Sequence, residues 1–328
     1  DYAALWSNTT GSYNTSIGSA ALRSNTTASY NTAVGYQAGY SNTTGIENIF
    51  IGDGAGKTST TANGIVAVGR NSLEDNTGNS NTAVGFATLS NNTSGVNNTA
   101  LGGANYGFTG GAMHSNTTGS YNTALGSQAL HGADLTTGSQ NALVGSFCKV
   151  SSANATGQSV LGYYVTSVGN NNFTFGNSTT DSNIAYGSTS ISAPSDQRYK
   201  EEIEDASAGL AFIKDLRPVT FKWKKEKDVP SDHPAYVEGS ETRVMNSNGE
   251  VIHGFIAQEV KAAIDNHSEI KDGFDMWSEQ GLDENGNSTG GRQRLAEAAL
   301  IPILVKSIQE LSATNDALTA RITALEGA

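Results

Sequence analysis

The sequence predicts a mainly β repeat region over residues 1–194 and an α+β domain over residues 195–328 that ends in a helix at about 295–326. Three observations support this division. A five-residue phrase ending in an apolar residue and glycine recurs ten times before residue 177. All five prolines lie at or beyond Pro194. Most charged residues, and the apolar residues at helical spacing, lie after that point.

The repeat period predicts stacked structural units. Successive phrases begin 17, 17, 17, 16, 17, 24, 19, 17 and 14 residues apart, and a nearly fixed period is the signature of a repeat architecture. The fourth position of every phrase is aliphatic or aromatic, and we expect these side chains to stack in register between repeats. This fourth-position column comprises Ile17, Val34, Ile51, Val68, Val84, Leu101, Leu125, Val144, Leu161 and Phe175.

Each repeat is expected to hold one or two short strands joined by turns. The glycine that ends each phrase suits a tight bend, and runs such as Ser41-Asn42-Thr43-Thr44-Gly45 suit turns. The regular period argues against disorder, the competing interpretation of so polar a sequence, and it predicts stacked Asn and Thr side chains. Because one repeat cannot bury its own apolar side, neighbouring coils, neighbouring chains or both complete the core. A β-solenoid, a β-roll and an intertwined triple β-helix all remain open.

The 24-residue spacing marks an insertion between Tyr106 and His114. Insertions in repeat arrays lie in surface loops, often on the binding side. This loop is therefore a candidate receptor contact, and a tolerated bulge is the alternative.

Composition excludes several function classes. The net charge of -12 argues against general binding of nucleic acid or membrane phosphates, and no apolar run is long enough to insert in a bilayer. Cys148 is the single cysteine, so we expect a small buried hydrophobe and no disulfide. The His residues are scattered, and Asp283-x-Asn285-x-Asn287 has serine where a calcium loop needs glycine. We expect no metal and no cofactor.

The last 134 residues carry local patterns of both helix and strand. Apolar residues from Ile203 to Leu216 suit a helix that ends before Pro218. Val219, Phe221 and Trp223 alternate with polar residues, as in a strand with one buried face. The polar stretch 224–250 predicts a long excursion or hairpin, and 254–260 predicts a strand leading into a short helix that reaches about Ile264.

The terminal helix carries a heptad pattern. Ile301, Ile308, Asn315 and Ile322 fall seven residues apart, as do Leu304, Leu311, Leu318 and Leu325. Ile at one core position, Leu at the other and a single Asn favour by themselves a parallel dimer.

Ser195 and Lys200 form a candidate catalytic dyad at the boundary between the two regions. A serine hydroxyl becomes a good nucleophile when a base removes its proton, and a desolvated, neutral lysine can be that base. A serine and a lysine at this spacing are common by chance, so the surrounding residues must show whether the pair is catalytic.

Four ordered segments resemble the C-terminal intramolecular chaperone of phage tailspikes and tail fibres, the endosialidase type. They are Ser195-Asp196-x-Arg198-x-Lys200-x-x-Ile203, Leu216-Arg217-Pro218-Val219 with Phe221 and Trp223, Gly254-Phe255-Ile256-Ala257-Gln258-Glu259-Val260, and the terminal helix. The resemblance implies a homotrimer, autoproteolysis at the motif serine, Ser195 as nucleophile and Lys200 as general base. It implies supporting roles for Asp196 and Arg198 and a cleavage site at Pro194 and Ser195, where the Pro194–Ser195 and Ser195–Asp196 bonds both remain open as the bond that is cut.

The repeat region resembles, more loosely, the head repeats of trimeric adhesins and phage fibre shafts. The resemblances imply a virion tail fibre that folds in the host cytoplasm and attaches to a host cell-surface glycan or protein. A trimer then overrides the dimer preference of the heptads. A depolymerase acting on host polysaccharide and a bacterial trimeric surface adhesin are the alternatives. The chain opens inside a repeat-like segment, so we expect a piece of a longer protein.

Overall fold

The computed structural model describes residues 2–104, 110–130, 136–178, 180–231, 233, 235–246, 248–270, 274–280 and 292–327. The chain forms two compact units, residues 1–199 and 200–328, which we call the shaft unit and the C-terminal unit. The calcium-like run at 283–287 lies outside the described residues, and so do residues 106–109, the first part of the insertion between Tyr106 and His114.

The shaft unit is a β-solenoid in which each coil contributes one short strand. The strands are β1 Thr15–Ile17, β2 Thr32–Val34, β3 Ile49–Ile51, β4 Val66–Val68, β5 Thr82–Val84, β6 Thr99–Leu101, β7 Thr123–Leu125, β8 Ala142–Val144, β9 Gln158–Tyr163, β10 Asn172–Asn177 and β11 Thr180–Ala185. They form one sheet in sequence order. Strands β1 to β10 pair in parallel, and β11 pairs antiparallel with β10.

This pairing excludes one of the three architectures that the sequence left open, the intertwined triple β-helix. Each strand bonds to the next strand of the same chain, as a solenoid requires and an intertwined triple helix does not. Equivalent phrase positions lie side by side, for example Val34 beside Ile51 and Val84 beside Leu101. The predicted in-register stacking of the fourth-position column is therefore confirmed.

The interior of the coils is lined by the third position of the phrase and not by the fourth. Because side chains alternate along a strand, the middle residue of each three-residue strand points inward. Ser16 is half-buried at this position. The other nine residues are buried: Ala33, Phe50, Ala67, Ala83, Ala100, Ala124, Leu143, Val160 and Thr174. The fourth-position column faces outward, with exposures of 37% at Val84 to 56% at Ile17 for its most exposed members.

Buried asparagines hold successive coils together. The N–H of Asn48 donates to Oδ1 of Asn31 at 3.0 Å, and the side-chain amide of Asn31 donates to the carbonyl oxygen of Gly45 at 2.9 Å. The same backbone-to-Oδ1 bond recurs at 2.9 Å from Asn122 to Asn98. Each such side chain replaces water at buried backbone groups, so the predicted stacking of Asn side chains is confirmed.

Cys148 is buried, as expected, and its thiol donates to the carbonyl oxygen of Gly162 at 3.0 Å. Burial raises the pKa of this thiol above its ordinary value. A buried thiol of this kind is unreactive.

The C-terminal unit combines short strands with three helices. Its elements are α1 Leu210–Asp215, β12 Val219–Phe221, β13 Ile252–Gly254, α2 Ala257–Asn266, β14 Trp277–Glu279, β15 Gln293–Leu295 and α3 Leu300–Glu326. Strand β12 pairs antiparallel with β13, and β14 with β15. The core includes Phe212, Val260, Met276, Leu300 and Ile303.

Two predicted boundaries in this unit were wrong. The first helix is shorter than predicted: it begins at Leu210, and Ile203 is exposed outside it. Glu202, at a φ of 51°, interrupts helical geometry before that point. Strand β12 ends at Phe221, before Trp223. The terminal helix predicted from about Leu295 is confirmed: a 3₁₀ turn, Glu297–Ala299, follows β15 and leads directly into α3. The strand-to-helix prediction at 254–264 is confirmed by β13 and α2.

Among the described residues, no helix has both the length and the apolar character needed to cross a membrane.

Candidate functional site around Ser195

Pro194 and Ser195 lie in an exposed segment near the end of the shaft unit. The last backbone pairing before them joins Ser192 to Asn183, where each N–H donates to the other residue's carbonyl oxygen at 2.8 Å. A single 3₁₀ turn, Gln197–Tyr199, follows Ser195 after one residue. The predicted nucleophile is therefore on an extended, solvent-facing stretch between two ordered elements.

Asp196 and Arg198 hold the local conformation beside Ser195. The Arg198 backbone N–H donates to Asp196 Oδ1 at 2.9 Å, which closes a turn. The guanidinium also donates to both carboxylate oxygens, with Nε to Oδ1 at 3.1 Å and Nη2 to Oδ2 at 2.6 Å. Hydrogen bonds from Arg198 lower the pKa of Asp196, and the carboxylate in turn raises the pKa of Arg198. This pair fixes the conformation of the segment. That the two side chains orient the turn without reacting stays a prediction.

Lys200 is exposed at the start of the C-terminal unit. Of the predicted site residues, the structure thus brings Asp196 and Arg198 into direct contact. Ser195 lies on the shaft unit and Lys200 on the C-terminal unit. Their pairing as a dyad stays a prediction.

The structure joins the second and third of the four segments used for the resemblance. Strand β12 pairs with β13, with Val219 beside Gly254. Arg217 also forms an ion pair with Glu259 at the start of α2, where Nε donates to Oε2 at 2.9 Å. This contact lowers the pKa of Glu259 and raises that of Arg217. Both motif segments therefore build one substructure.

A histidine that the sequence did not single out links three parts of the C-terminal unit. His267, directly after α2, contacts Asp215 through Nε2 and Glu269 through Nδ1, each at 2.8 Å. Its side chain is 11% exposed. Hydrogen bonds to Asp215 and then to Glu269 raise the pKa of His267. No local sequence pattern predicts this cluster, because Asp215 ends α1 whereas His267 follows α2.

The polar excursion is an irregular hairpin. Lys225 and Lys227 both pair with Glu241, and the side chain of Arg243 donates to the Trp223 carbonyl oxygen at 2.6 Å. The two lysines lower the pKa of Glu241 to about 2. Ion pairs therefore join the two sides of the predicted hairpin at its base. Residues 232, 234 and 247 lie outside the described part.

Helix α3 presents two different faces. Leu300, Ile303 and Ser307 are buried, and the Glu310 carboxylate accepts the N–H of Leu210 at 2.9 Å, capping α1. The heptad residues lie elsewhere on the helix and are exposed, from 41% at Leu304 to 77% at Leu325. From Leu311 to Gly327 every residue is exposed. An isolated helix of that kind gains little from its own chain, since helices are stabilised mainly by packing an apolar face.

Within the described residues there is no group of three or more His, Cys, Asp or Glu side chains that could hold a metal ion.

The fold is that of a β-solenoid shaft joined to a small α+β unit that ends in a long helix. Residues 195–269 match the family model described as chaperone of endosialidase. This match confirms the resemblance drawn from the sequence motifs and indicates a family of self-cleaving intramolecular chaperone peptidases. Together with the solenoid, it fits a protein of the phage tail-fibre or tailspike type. The chain has no match among curated proteins or solved structures.

Proposed function

We propose that this chain is a homotrimeric phage tail fibre whose C-terminal unit guides assembly and then releases itself by autoproteolysis at Ser195, with Lys200 as general base. One observation carries the proposal. The chaperone family match begins at Ser195, in the exposed segment that follows the last strand of the solenoid. A cut there would separate the solenoid from the guiding unit.

The proposed chemistry is a single acyl transfer within the chain. Lys200, in its neutral form, takes the proton of the Ser195 hydroxyl as Oγ attacks the scissile carbonyl. The peptide nitrogen then leaves with that proton, and water hydrolyses the resulting ester. Asp196 and Arg198 act as positioning residues, because their mutual hydrogen bonds hold the turn that follows the nucleophile.

A neutral lysine needs a desolvated site, and Lys200 is exposed in the single chain. We therefore assign the activation of Lys200 to assembly: burial by neighbouring copies makes the base competent only after the trimer has formed. Cleavage then reports correct folding and makes it practically irreversible.

The exposed heptad face of α3 supports self-association. Ile308 is 65% exposed and Ile322 is 54% exposed, on a helix of 27 residues. Three such helices in parallel would bury these side chains in one another's grooves. Holding three chains together lowers the entropy cost of starting a structure built from contacts between distant residues.

The shaft unit has the proposed role of attachment to a host cell-surface receptor, a glycan or a protein, in the assembled virion. The candidate contact is the insertion between Tyr106 and His114. The chain would fold in the host cytoplasm before the virion assembles.

The test compares intact mass and denaturing gels for the parent chain, Ser195→Ala and Lys200→Ala. We expect the parent to split into fragments of roughly 20 and 14 kDa, from about 110 Da per residue scaled to the light repeat composition. Both variants should stay at full length.

Ser192→Ala and Lys214→Ala are matched controls, since each removes the same chemical group from another exposed position. Both should cleave like the parent. Cleavage of Ser195→Ala at the parental rate would refute the assignment of the nucleophile. Light scattering on Ser195→Ala gives the oligomeric state, and a single-chain mass would refute the trimer.

A further inference from the structure

The outward-facing side of the solenoid sheet carries a continuous line of apolar side chains. Six members of the fourth-position column have exposures between 37% and 56%: Ile17, Ile51, Val84, Leu101, Val144 and Leu161. The other four are half-buried. With one rung per coil at about 4.8 Å, ten rungs extend over about 43 Å.

The rest of the coil surface is mixed, because it also exposes aromatic rings such as those of Tyr30, Tyr36 and Tyr121. The turns between strands expose Ser, Asn and Thr, as at Thr93 and Ser94. The second phrase position, which also faces outward, holds Thr, Ser, Ala, Ile, Val or Phe and never a charge. Exposed apolar side chains in one contiguous stripe mark an interaction surface.

Beside the column runs a strip of bare backbone. The glycine after each fourth-position residue has a positive φ, such as 130° at Gly85 and 139° at Gly102. A Cβ added at Gly102 would lie 2.2 Å from the carbonyl oxygen of Gly126 on the next coil. Glycine is therefore required at this corner. The column of apolar side chains and the adjacent line of glycines therefore both repeat once per coil.

We propose that the fourth-position column is the line of contact between parallel, in-register copies of this chain. Two observations select a second copy over other occupants. The stripe has no charge for a charged ligand to pair with, and its apolar side chains repeat at the coil spacing over ten coils. Only an occupant with the same coil spacing can fill every rung, and this chain is one.

The size of the stripe suits an interface that needs other contacts. A strip about 43 Å long and roughly 10 to 15 Å wide offers on the order of 500 Å² per copy, less than the ~800 Å² per partner of a typical stable complex. The proposal thus rests on the self-association in the proposed function, to which the exposed face of α3 contributes independently.

Single cysteines placed in the full-length Ser195→Ala chain test the contact. Leu101→Cys and Val144→Cys put thiols on the column in two different coils, and Ser94→Cys puts one on an exposed turn of the β6 coil. The native Cys148 is buried, so the parent chain gives the background. A short bismaleimide is added, and pairs at twice the chain mass are measured on a denaturing gel.

We expect at least a tenfold higher yield of pairs from both column variants than from Ser94→Cys. Adding Val84→Lys to Leu101→Cys should abolish the increase, because it sets a charge of one copy against the same charge of the next. Circular dichroism equal to the parent confirms that each variant is folded.

The outcomes separate this inference from the proposed function. A trimeric mass with no increase in pairs at Leu101→Cys and Val144→Cys would overturn the column as the contact line and leave the trimer intact. A single-chain mass for the Ser195→Ala chain would overturn both.

Discussion

Phe50 offers a strong test of how the solenoid interior is packed. Its ring is fully buried at the third phrase position of β3. Across the coil, another interior column holds large side chains at most positions. Hydrogen bonds between successive coils place its members in line: Leu22, Gly39, Gly56, Leu73, Leu89, Met113 and Leu130. The two glycines are the members nearest Phe50.

The distances show why those two positions are glycine. A Cβ at Gly39 would lie 2.6 Å from Phe50 Cδ2, and one at Gly56 would lie 2.1 Å from Cε1. The ring of Phe50 thus takes the space that leucine fills in other coils. Phe50→Ala leaves a cavity that no neighbour can fill, so we expect it to lower the free energy of unfolding by about 3–5 kcal/mol.

A leucine at Gly56 tests directly whether the Phe50 ring fills the space that leucine occupies in other coils. Gly56→Leu overpacks the parent interior and should cost more than about 2 kcal/mol. In the Phe50→Ala background the same leucine enters the vacated space. Its backbone conformation is acceptable there, since Leu73 on the next coil has a φ of 49° in the same column. The double variant should therefore be more stable than the sum of the single effects by about 1–3 kcal/mol.

Urea unfolding of the Ser195→Ala chain, followed by far-ultraviolet circular dichroism, measures these differences on one uncleaved species. Tyr36→Ala removes an exposed ring, 55% accessible, and should change stability by less than about 0.5 kcal/mol. Additive effects of Phe50→Ala and Gly56→Leu, or a loss below about 1 kcal/mol for Phe50→Ala alone, would refute this account of the interior.

Two further predictions concern polar groups. His267→Gln should destabilise the C-terminal unit more at pH 6 than at pH 8.5: the raised pKa means that protonated His267 contributes stability fully below about pH 6.5, and this is lost as pH rises through the folded value. Thermal unfolding at both pH values measures the loss of stability, and equal losses would contradict a contribution from protonated His267. Asn98→Ala should cost about 2–4 kcal/mol in urea unfolding, because the buried Asn122 N–H and Gly119 carbonyl oxygen lose their partner. Ser94→Ala, at an exposed position, is its control. An equally small loss of unfolding free energy in both variants would contradict the stabilising role of the buried asparagines.

The sequence predicted the stacking of the coils but not which side of each strand is inside. The period sets the register, so equivalent positions had to meet. The sequence did not reveal the inner side because half of the ten inward residues are alanine, as at Ala83 and Ala100, whereas larger aliphatic residues such as Ile17 and Leu101 face outward. Buried Asn98 also breaks the rule that polar residues lie outside, since its amide bonds replace water between coils.

In the C-terminal unit, the predictions succeeded where the signal was local. Helix α2 follows β13 as its short segment indicated. The pairing of β14 with β15 was missed, because Trp277 meets Leu295 across a long separation in sequence. The His267 cluster was missed for the same reason. Motif resemblance located Ser195 and Lys200, and no pattern of burial or charge in the sequence could have assigned their chemistry.

On the proposed assembly, the fourth-position column and the exposed heptad face of α3 have different roles. The fourth-position column is nearly uniform, so a slip of one coil between two copies would still pair about nine-tenths of the rungs. Such a column can bind a second copy but specifies its register poorly. The terminal helix has what the column lacks, because Asn315 interrupts its heptads once, and a single buried Asn at a core position selects one register. On the proposed assembly, the C-terminal unit is needed to align the copies before the columns close, and it becomes dispensable once they have closed. That order explains why a release site would lie after the last strand of the solenoid.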